Sequence, residues 1–172
     1  CVADGKYIDH ESGGLALKTR AYCNHNAAEL LLEFKQMVEK FEASNLRLCA
    51  HNGKEFDYPY LCRRLLVNGI PLPPALNIMG KKSWEVQHLD TLDMWKFGDY
   101  KHYTSLDLLA SIFNISSSKE GIDGSQVNAV YYLEKNLTKI KEYCVRDVVV
   151  LAQLFLKLKS INAPTLIVRN SE

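Results

Sequence analysis

The sequence of 172 residues predicts a mixed α/β sandwich, in which a sheet is flanked by helices. Residues 1–8 and 14–22 alternate apolar and polar side chains as strands do, and the turn-forming stretch DHESGG lies between them. Apolar residues then recur at helical spacing over residues 27–42. From residue 46 onward, short apolar strands alternate with helical segments, which is the pattern of an α/β sheet with crossover helices.

Local signals place the elements of the first half of the chain. Asn26 is predicted to cap the first helix, with Glu29 three residues later as in a capping box. Residues 46–50 form a short apolar strand. A helix is predicted after this strand, over YPYLCRRLLVNG, and Gly69 is its expected stop. Residues 70–83 hold three prolines and are predicted to form a loop.

The second half of the chain is predicted to be mainly helical. Residues 86–89 are a short strand that ends at Asp90, and a polar, aromatic loop follows it. Thr104 is predicted to cap the helix SLDLLASIF, with Asp107 in its first turn. The last two predicted helices cover residues 126–134 and about 136–159, and the tail after about residue 160 is left unassigned. We expect residues 1–172 to form a single domain.

Composition is that of a globular protein, with 47% hydrophobic and 24% charged residues. A net charge of +1 excludes the strong basic field that binds duplex DNA non-specifically. The five cysteines include no CxxC pair and are odd in number, which predicts reduced thiols, a cytoplasmic location, and neither a disulfide framework nor a zinc site. No apolar run approaches 18 residues, so we expect no membrane span.

The segment NGKEFD, residues 52–57, lies at a predicted strand-to-helix junction. Because α/β folds place their sites at the carboxyl ends of strands, Asp57 is expected beside the edge of the sheet, with Phe56 directed into the core. A second interpretation remains open from this segment alone. Asp57 could simply cap the following helix, in whose first turn Pro59 lies.

The segment YCVRD, residues 143–147, lies in the last long helix. Tyr143 and Asp147 are four residues apart, so they share one face of that helix with an apolar stripe. A carboxylate in an apolar stripe is costly unless it is paired, hydrogen-bonded or bound to metal. The alternative is a buried aspartate paired with a nearby arginine, beside a tyrosine that belongs to the core.

Other polar groups near these segments are predicted to be structural. Asp90 follows a strand and is expected to support the fold rather than belong to the site. Single histidines such as His51 and His88 are more often hydrogen-bonded structural groups than ligands. Residues 96–103 combine lysines with tyrosines, which is compatible either with a single-strand binding surface or with a solvated loop.

Taken together, the two segments resemble motifs of the DnaQ-like 3′–5′ exonucleases. HNGKEFDYPYLCRR, residues 51–64, resembles the second exonuclease motif of family-B DNA polymerase proofreading domains. YCVRDVVVLAQLF, residues 143–155, resembles the third motif in its tyrosine-containing, DEDDy form. Residues 88–110 are similar to predicted bacterial exonucleases related to those proofreading domains. The resemblance covers roughly residues 1–158.

The resemblance implies an RNase H-like mixed sheet flanked by helices, and a 3′–5′ exonuclease that hydrolyses phosphodiester bonds at nucleic-acid 3′ ends. The implied substrate is single-stranded DNA, with RNA as a further possibility. Asp57 and Asp147 would be metal ligands in a two-metal site for Mg²⁺ or Mn²⁺. Tyr143 would position the attacking water, and Asn52 and Phe56 would contact the substrate.

The family's first motif, an Asp-x-Glu on the opening strand, has one candidate in this sequence, Asp9-His-Glu11. We reject it because the family pattern needs two further strands before the first helix, and only residues 14–22 are available. The strand that bears the motif is therefore expected upstream of Cys1. Residues 1–172 alone are expected to bind metal weakly and to have little or no activity. A second functional class stays open, a catalytically inactive nucleic-acid-binding module that keeps the fold.

Overall fold

The computed structural model describes residues 1–9, 15–42, 45–99, 101–116, 121–161 and 167–170. In chain order its elements are β1 (Val2–Asp9), β2 (Leu15–Tyr22), α1 (Ala27–Glu42), β3 (Cys49–Ala50), α2 (Asp57–Val67), β4 (Leu89–Asp90), α3 (Thr91–Lys96), α4 (Leu106–Ile112), α5 (Val127–Tyr132), α6 (Leu137–Leu158) and β5 (Ile167–Asn170). Within these ranges, no helix has both the length and the apolar character needed to cross a membrane.

The chain divides into two compact units. The first contains Cys1–Cys23 and Tyr103–Glu172, and the second contains Asn24–His102. Each unit combines helices with strands, so the predicted mixed α/β class is confirmed. The strands of the described residues form one sheet of three strands and one of two. The single RNase H-like sheet therefore stays a prediction.

A β-hairpin begins the first unit, as predicted. Strands β1 and β2 are antiparallel, with Val2 opposite Tyr22 and Asp9 opposite Leu15. The predicted turn between them lies outside the described residues. Strand β5 pairs with β2 in parallel, which gives the sheet order β1-β2-β5. This last strand was not predicted from the sequence.

The long helix α6 packs against the hairpin at close range. The hydroxyl of Tyr7 on β1 donates a hydrogen bond of 2.6 Å to the carbonyl of Ala152 on α6. A Cβ at Gly5 would lie 2.9 Å from a methyl carbon of Val148, so only glycine permits this approach without a shift. Asn136 caps α6 by accepting a 3.0 Å hydrogen bond from the backbone N–H of Lys139.

The amino-terminal half of α6 contributes to a small apolar cluster with α5. Its buried members are Ile122, Val130 and Ile140, and Tyr143 and Cys144 are partly buried against them. This packing restricts where the Tyr143 ring can lie. It also removes part of the ring and of the neighbouring side chains from water.

In the second unit, the predicted start of α1 and the predicted end of α2 are confirmed. The side-chain oxygen of Asn26 accepts a 3.0 Å hydrogen bond from the N–H of Ala28, and Glu29 accepts one of 2.8 Å from the Asn26 side-chain amide. Helix α2 is followed by Gly69 in the left-handed region, with φ of +68°. Helix α1 buries its predicted apolar face: Leu30, Leu31, Phe34 and Val38.

Strands β3 and β4 form a short parallel pair in the second unit. Cys49 lies opposite Leu89, and Ala50 lies opposite Asp90, so both strands end at the same edge. The chain then enters α3, a helix of six residues that the sequence analysis did not predict. Such a short helix offers too little apolar periodicity to be recognised in a polar, aromatic segment.

The prediction that all five cysteines are reduced is wrong for one pair, because Cys1 and Cys23 form a disulfide. Their Cα atoms are 4.4 Å apart, one position beyond the last paired residues of the hairpin. That distance is typical of the narrow pairs of an antiparallel ladder. The pairing was not apparent because 22 residues separate the two cysteines and only the hairpin register brings them together. The free cysteines are Cys49, Cys62 and Cys144.

A smaller correction concerns the start of α4. The hydroxyl of Ser105 accepts a 3.2 Å hydrogen bond from the N–H of Leu108, so Ser105 is the N-cap rather than Thr104. Asp107 lies in the first turn, as predicted. Neighbouring Thr and Ser have similar capping ability, and the sequence alone does not decide between them.

Candidate functional site

Helix α6 brings Tyr143 and Asp147 together in the first unit. The side chains of these residues are half-buried, and the charge of the Asp147 carboxylate acts on the Tyr143 hydroxyl. The prediction that they share one helix face is confirmed. Tyr143 is therefore an electrostatic neighbour of Asp147 within the same helix, one turn away.

The environment of Tyr143 keeps its hydroxyl protonated. Burial raises the pKa of Tyr143, and the negatively charged Asp147 carboxylate near the hydroxyl raises it further. Smaller contributions from Cys144 and Asp123 act in the same direction. A tyrosine that stays neutral at physiological pH can donate a hydrogen bond and orient a reactant, but it cannot serve as a general base.

Asp57 lies in the second unit, where it is the first residue of α2. The N-cap position belongs to Phe56, which makes no side-chain capping bond, so Asp57 does not occupy the cap. Its side chain is half-buried. A carboxylate in the first turn of a helix is stabilised by the positive end of the helix dipole.

Asp90 anchors the turn that leads from β3 to Asp57. One of its carboxylate oxygens accepts hydrogen bonds from the backbone N–H groups of Asn52 at 2.8 Å and Leu92 at 2.9 Å. The other accepts one from the N–H of Lys54 at 3.0 Å. Asp90 is only 3% exposed, so these three donors supply hydrogen bonds to both oxygens of a carboxylate that is shielded from water. Its role is structural, as predicted.

The same turn is tightened by its own backbone. Asn52 adopts φ of +60°, in the left-handed region that asparagine tolerates better than most residues. The N–H of Phe56 donates to the Asn52 carbonyl at 3.0 Å, and the N–H of Tyr58 donates to the Gly53 carbonyl at 2.9 Å. A Cβ at Gly53 would lie 2.4 Å from the Cβ of Ala50, so the turn requires glycine there.

The prediction that Phe56 points into the core is wrong, because its side chain is 63% exposed. Its ring stacks on that of Tyr60, with centroids 6.0 Å apart and planes 9° from parallel. The buried face of α2 is formed instead by Tyr58, Cys62 and Leu65. Phe56 precedes the helix, where the helical period that selects buried positions does not yet apply. Contact of Asn52 and Phe56 with substrate stays a prediction.

His88 is a structural residue, as predicted. Its Nδ1 accepts a 3.2 Å hydrogen bond from the N–H of Leu48, and its Nε2 donates one of 2.8 Å to the carbonyl of Ala75. Burial lowers the pKa of His88, which keeps the ring neutral in this arrangement. Both ring nitrogens are therefore engaged within the fold. The Nδ1 atom of His51 is hydrogen-bonded to the Thr91 hydroxyl oxygen at 2.9 Å.

The oxygen donors of Asp57 and Asp147 suit hard cations such as Mg²⁺ and Mn²⁺. Over the ranges that the structure describes, however, no group of three or more His, Cys, Asp or Glu residues could hold a metal ion. The side chain of Asp9 and the whole of Glu11 lie outside those ranges. Two carboxylates alone do not make up the two-metal donor set that the resemblance implies.

Comparison with known families gives one match. A family described as a predicted 3′–5′ exonuclease related to the exonuclease domain of PolB matches residues 6–165. This range contains the second half of β1, all of β2, both candidate carboxylates and Tyr143. No curated protein matches the chain significantly.

Proposed function

The chain belongs to the family of predicted 3′–5′ exonucleases related to the exonuclease domain of PolB, and from this premise we propose that it is a metal-dependent 3′–5′ exonuclease. Its proposed reaction is hydrolysis of phosphodiester bonds at the 3′ ends of single-stranded DNA. The observation that carries the proposal is the extent of the match, residues 6–165 of 172. RNA is the alternative nucleic-acid substrate.

We assign Asp57 and Asp147 as metal ligands for Mg²⁺ or Mn²⁺. Bound ions of this kind activate water and stabilise a departing oxygen in phosphodiester hydrolysis. The proposal requires further oxygen ligands besides these two, because the described residues supply no group of three. The roles proposed below for Tyr143, Asn52 and Phe56 therefore follow from the chemistry of their own side chains and not from a described metal site.

Tyr143 is assigned to orient the attacking water. Support comes from its raised pKa, which keeps the hydroxyl neutral beside a carboxylate, and from the packing of its ring against a buried apolar cluster. Asn52 and Phe56 are assigned to the terminal nucleotide. The exposed Phe56 ring offers a flat surface on which a base can stack.

One observation favours a second function, a catalytically inactive module that binds nucleic acid. In the part of the chain that the structure describes, no metal-binding group of three residues is present. A protein that kept the fold and its substrate contacts but lacked the full ligand set would bind a strand without cutting it.

An assay of end-labelled strands tests the proposal. The product of the whole gene and residues 1–172 are each incubated with 5′-labelled single-stranded DNA, or RNA of the same sequence, in Mg²⁺, Mn²⁺ or EDTA. We expect the whole-gene product to shorten the DNA from its 3′ end in either metal and not in EDTA. Asp57→Asn and Asp147→Asn should each slow this reaction by at least about a hundredfold, whereas Asp107→Asn should not.

The other outcomes of this assay are also informative. If the whole-gene product binds the strand in EDTA and leaves it intact with either metal, the inactive module is supported and the exonuclease proposal is contradicted. If residues 1–172 alone digest the strand efficiently and Asp9→Ala abolishes that activity, then our rejection of Asp9 and Glu11 as the first motif is wrong.

A further inference from the structure

The second unit has a surface groove to which the proposed exonuclease site assigns no role. It lies between one face of α2 and the segment of residues 72–86, and its volume is about 390 Å³. Pro59, Arg63 and Leu66 line it from α2. This volume is within the range of pockets that bind small molecules or single residues of a polymer.

The lining of the groove is cationic at three positions and otherwise mainly apolar. Lys54, Arg63 and Lys81 contribute the positive charges, and no carboxylate is among its lining residues. The Nζ atom of Lys54 forms an ion pair with a carboxylate oxygen of Asp93 at 3.2 Å. Arg63 and Lys81 are exposed. The apolar lining includes Met79, which is 73% exposed although it is a large hydrophobic side chain. The groove therefore offers anion-binding groups beside an apolar floor.

Exposed aromatic rings lie next to the groove. Tyr60 stacks on Phe56 and is three residues from Arg63, so the two are neighbours on the surface of α2. Trp84 is 75% exposed and follows Ser83, which lines the groove. Aromatic surfaces beside a cationic groove are the combination that binds single strands, because the bases stack while the phosphates meet positive charge.

We propose that this groove binds single-stranded nucleic acid on the 5′ side of the terminal nucleotide, with phosphates at Arg63 and Lys81 and bases on the apolar floor. The placement of the strand rests on the proposed function, since α2 begins at Asp57. From Asp57 to Leu66 the helix rises about 13 Å, so the groove extends away from that carboxylate. An acidic peptide would satisfy the cations, but it has no flat apolar group at every residue for the floor.

Binding measured without cleavage tests the groove. Residues 1–172 are titrated in EDTA against a fluorescently labelled oligothymidine, and anisotropy is followed from low to moderate salt. Arg63→Glu and Lys81→Glu should each weaken binding about threefold to tenfold and reduce the salt slope by about 0.7 to 1. Arg64→Glu is the matched control, because it makes the same charge change one residue away without lining the groove. It should change binding less than about twofold.

Two further comparisons test the role of the apolar floor and the class of ligand. Met79→Asp should weaken binding of oligothymidine more than binding of an abasic oligomer with the same number of phosphates. Thermal melting checks that every variant is folded, and the charge-conserving Lys81→Arg should restore binding. The proposal is overturned if the parent chain binds no oligothymidine, if Arg64→Glu matches the groove variants, if abasic and thymidine oligomers bind alike, or if polyglutamate competes equally well.

Failure of the groove and failure of the exonuclease proposal give different results. If the whole-gene product digests DNA and the groove variants bind and digest as the parent does, the exonuclease stands and the groove assignment is wrong. If no digestion occurs but Arg63→Glu and Lys81→Glu selectively weaken binding in EDTA, the groove stands and the exonuclease proposal is wrong.

Discussion

Two carboxylates of this protein, Asp57 and Asp147, are placed by different means. Asp147 lies on a helix, and Tyr143, on whose hydroxyl its charge acts, is one turn away on the same helix. Asp57 follows a turn whose backbone is anchored by Asp90, 36 to 38 residues further along the chain from the two turn residues it binds. The first arrangement follows from helical periodicity, and the second depends on the pairing of β3 with β4.

This difference has a consequence for tolerance to mutation. A helix-borne pair needs only the helix, so a change in one partner has a local effect. The anchored turn concentrates three backbone donors on one buried side chain, so its stability depends on a single distant residue. The turn should therefore be far more sensitive to substitution than the helix pair.

The largest expected effect is that of Asp90→Ala. Three backbone N–H groups would lose their shared buried acceptor, and we expect the free energy of unfolding to fall by about 4 kcal/mol. The same change at Asp147 should cost about 1 kcal/mol, because its side chain is only half-buried. Urea denaturation of both variants makes the comparison. Equal losses would contradict the distinction between the two regions.

A glycine in each region gives a second test. In Gly53→Ala the new Cβ would lie 2.4 Å from the Cβ of Ala50, and we expect a loss of about 2 kcal/mol in unfolding free energy. In Gly124→Ala the new Cβ would lie 3.5 Å from the Tyr143 hydroxyl, an ordinary contact, and the change should stay within about 0.5 kcal/mol. Thermal melts measure both. A tolerated alanine at position 53 would show that the turn is not closely packed.

The second unit, which contains His88, should also lose stability in mild acid. Burial lowers the pKa of His88 in the folded state, so the unfolded state binds more protons as the pH falls below the ordinary histidine value. The contribution of neutral His88 to the free energy of unfolding is complete above the ordinary histidine pKa. It is lost as the pH falls toward the lower pKa of His88 in the folded state. The unfolding midpoint should therefore drop between pH 7 and pH 5, and less steeply in His88→Gln than in the parent. Identical slopes would exclude His88 as the source.

A small stability effect, at most about 1 kcal/mol, is expected for Tyr143→Phe, since the half-buried side chain keeps its ring and loses only the hydroxyl. If Tyr143 orients the attacking water as proposed, the same variant should slow digestion about tenfold to a hundredfold. Because the pKa of Tyr143 is raised, the rate of the parent should show no tyrosine inflection below pH 10. Such an inflection, absent from the variant, would indicate general-base catalysis instead.

Sequence reasoning succeeded where local signals determine structure. The hairpin, α1, α2 and α6 follow from alternation, helical spacing and, for α1, the cap at Asn26. The Tyr143–Asp147 pair follows from the same periodicity. In each case, the residues that decide the conformation lie within a few positions of one another.

Sequence reasoning failed where the conformation depends on residues far apart in the chain, or on the residue at which a helix begins. The Cys1–Cys23 bond depends on the hairpin register, and the orientation of Phe56 depends on where α2 starts. Asp90 was identified as structural, but its hydrogen bonds to the turn at Asn52 could not be inferred, because they require β3 and β4 to end side by side. The groove at Arg63 and Lys81 combines residues from α2 with a proline-rich loop, and no periodic pattern in the sequence joins them.

The bridge between the first residue and position 23 also affects how samples of this protein compare with one another. Samples in which this bridge is intact and samples in which it is reduced are different covalent species, and melting curves from the two cannot be placed on one scale. Thiol titration of the denatured chain distinguishes them. It should count three sulfhydryls in the oxidised form and five after full reduction.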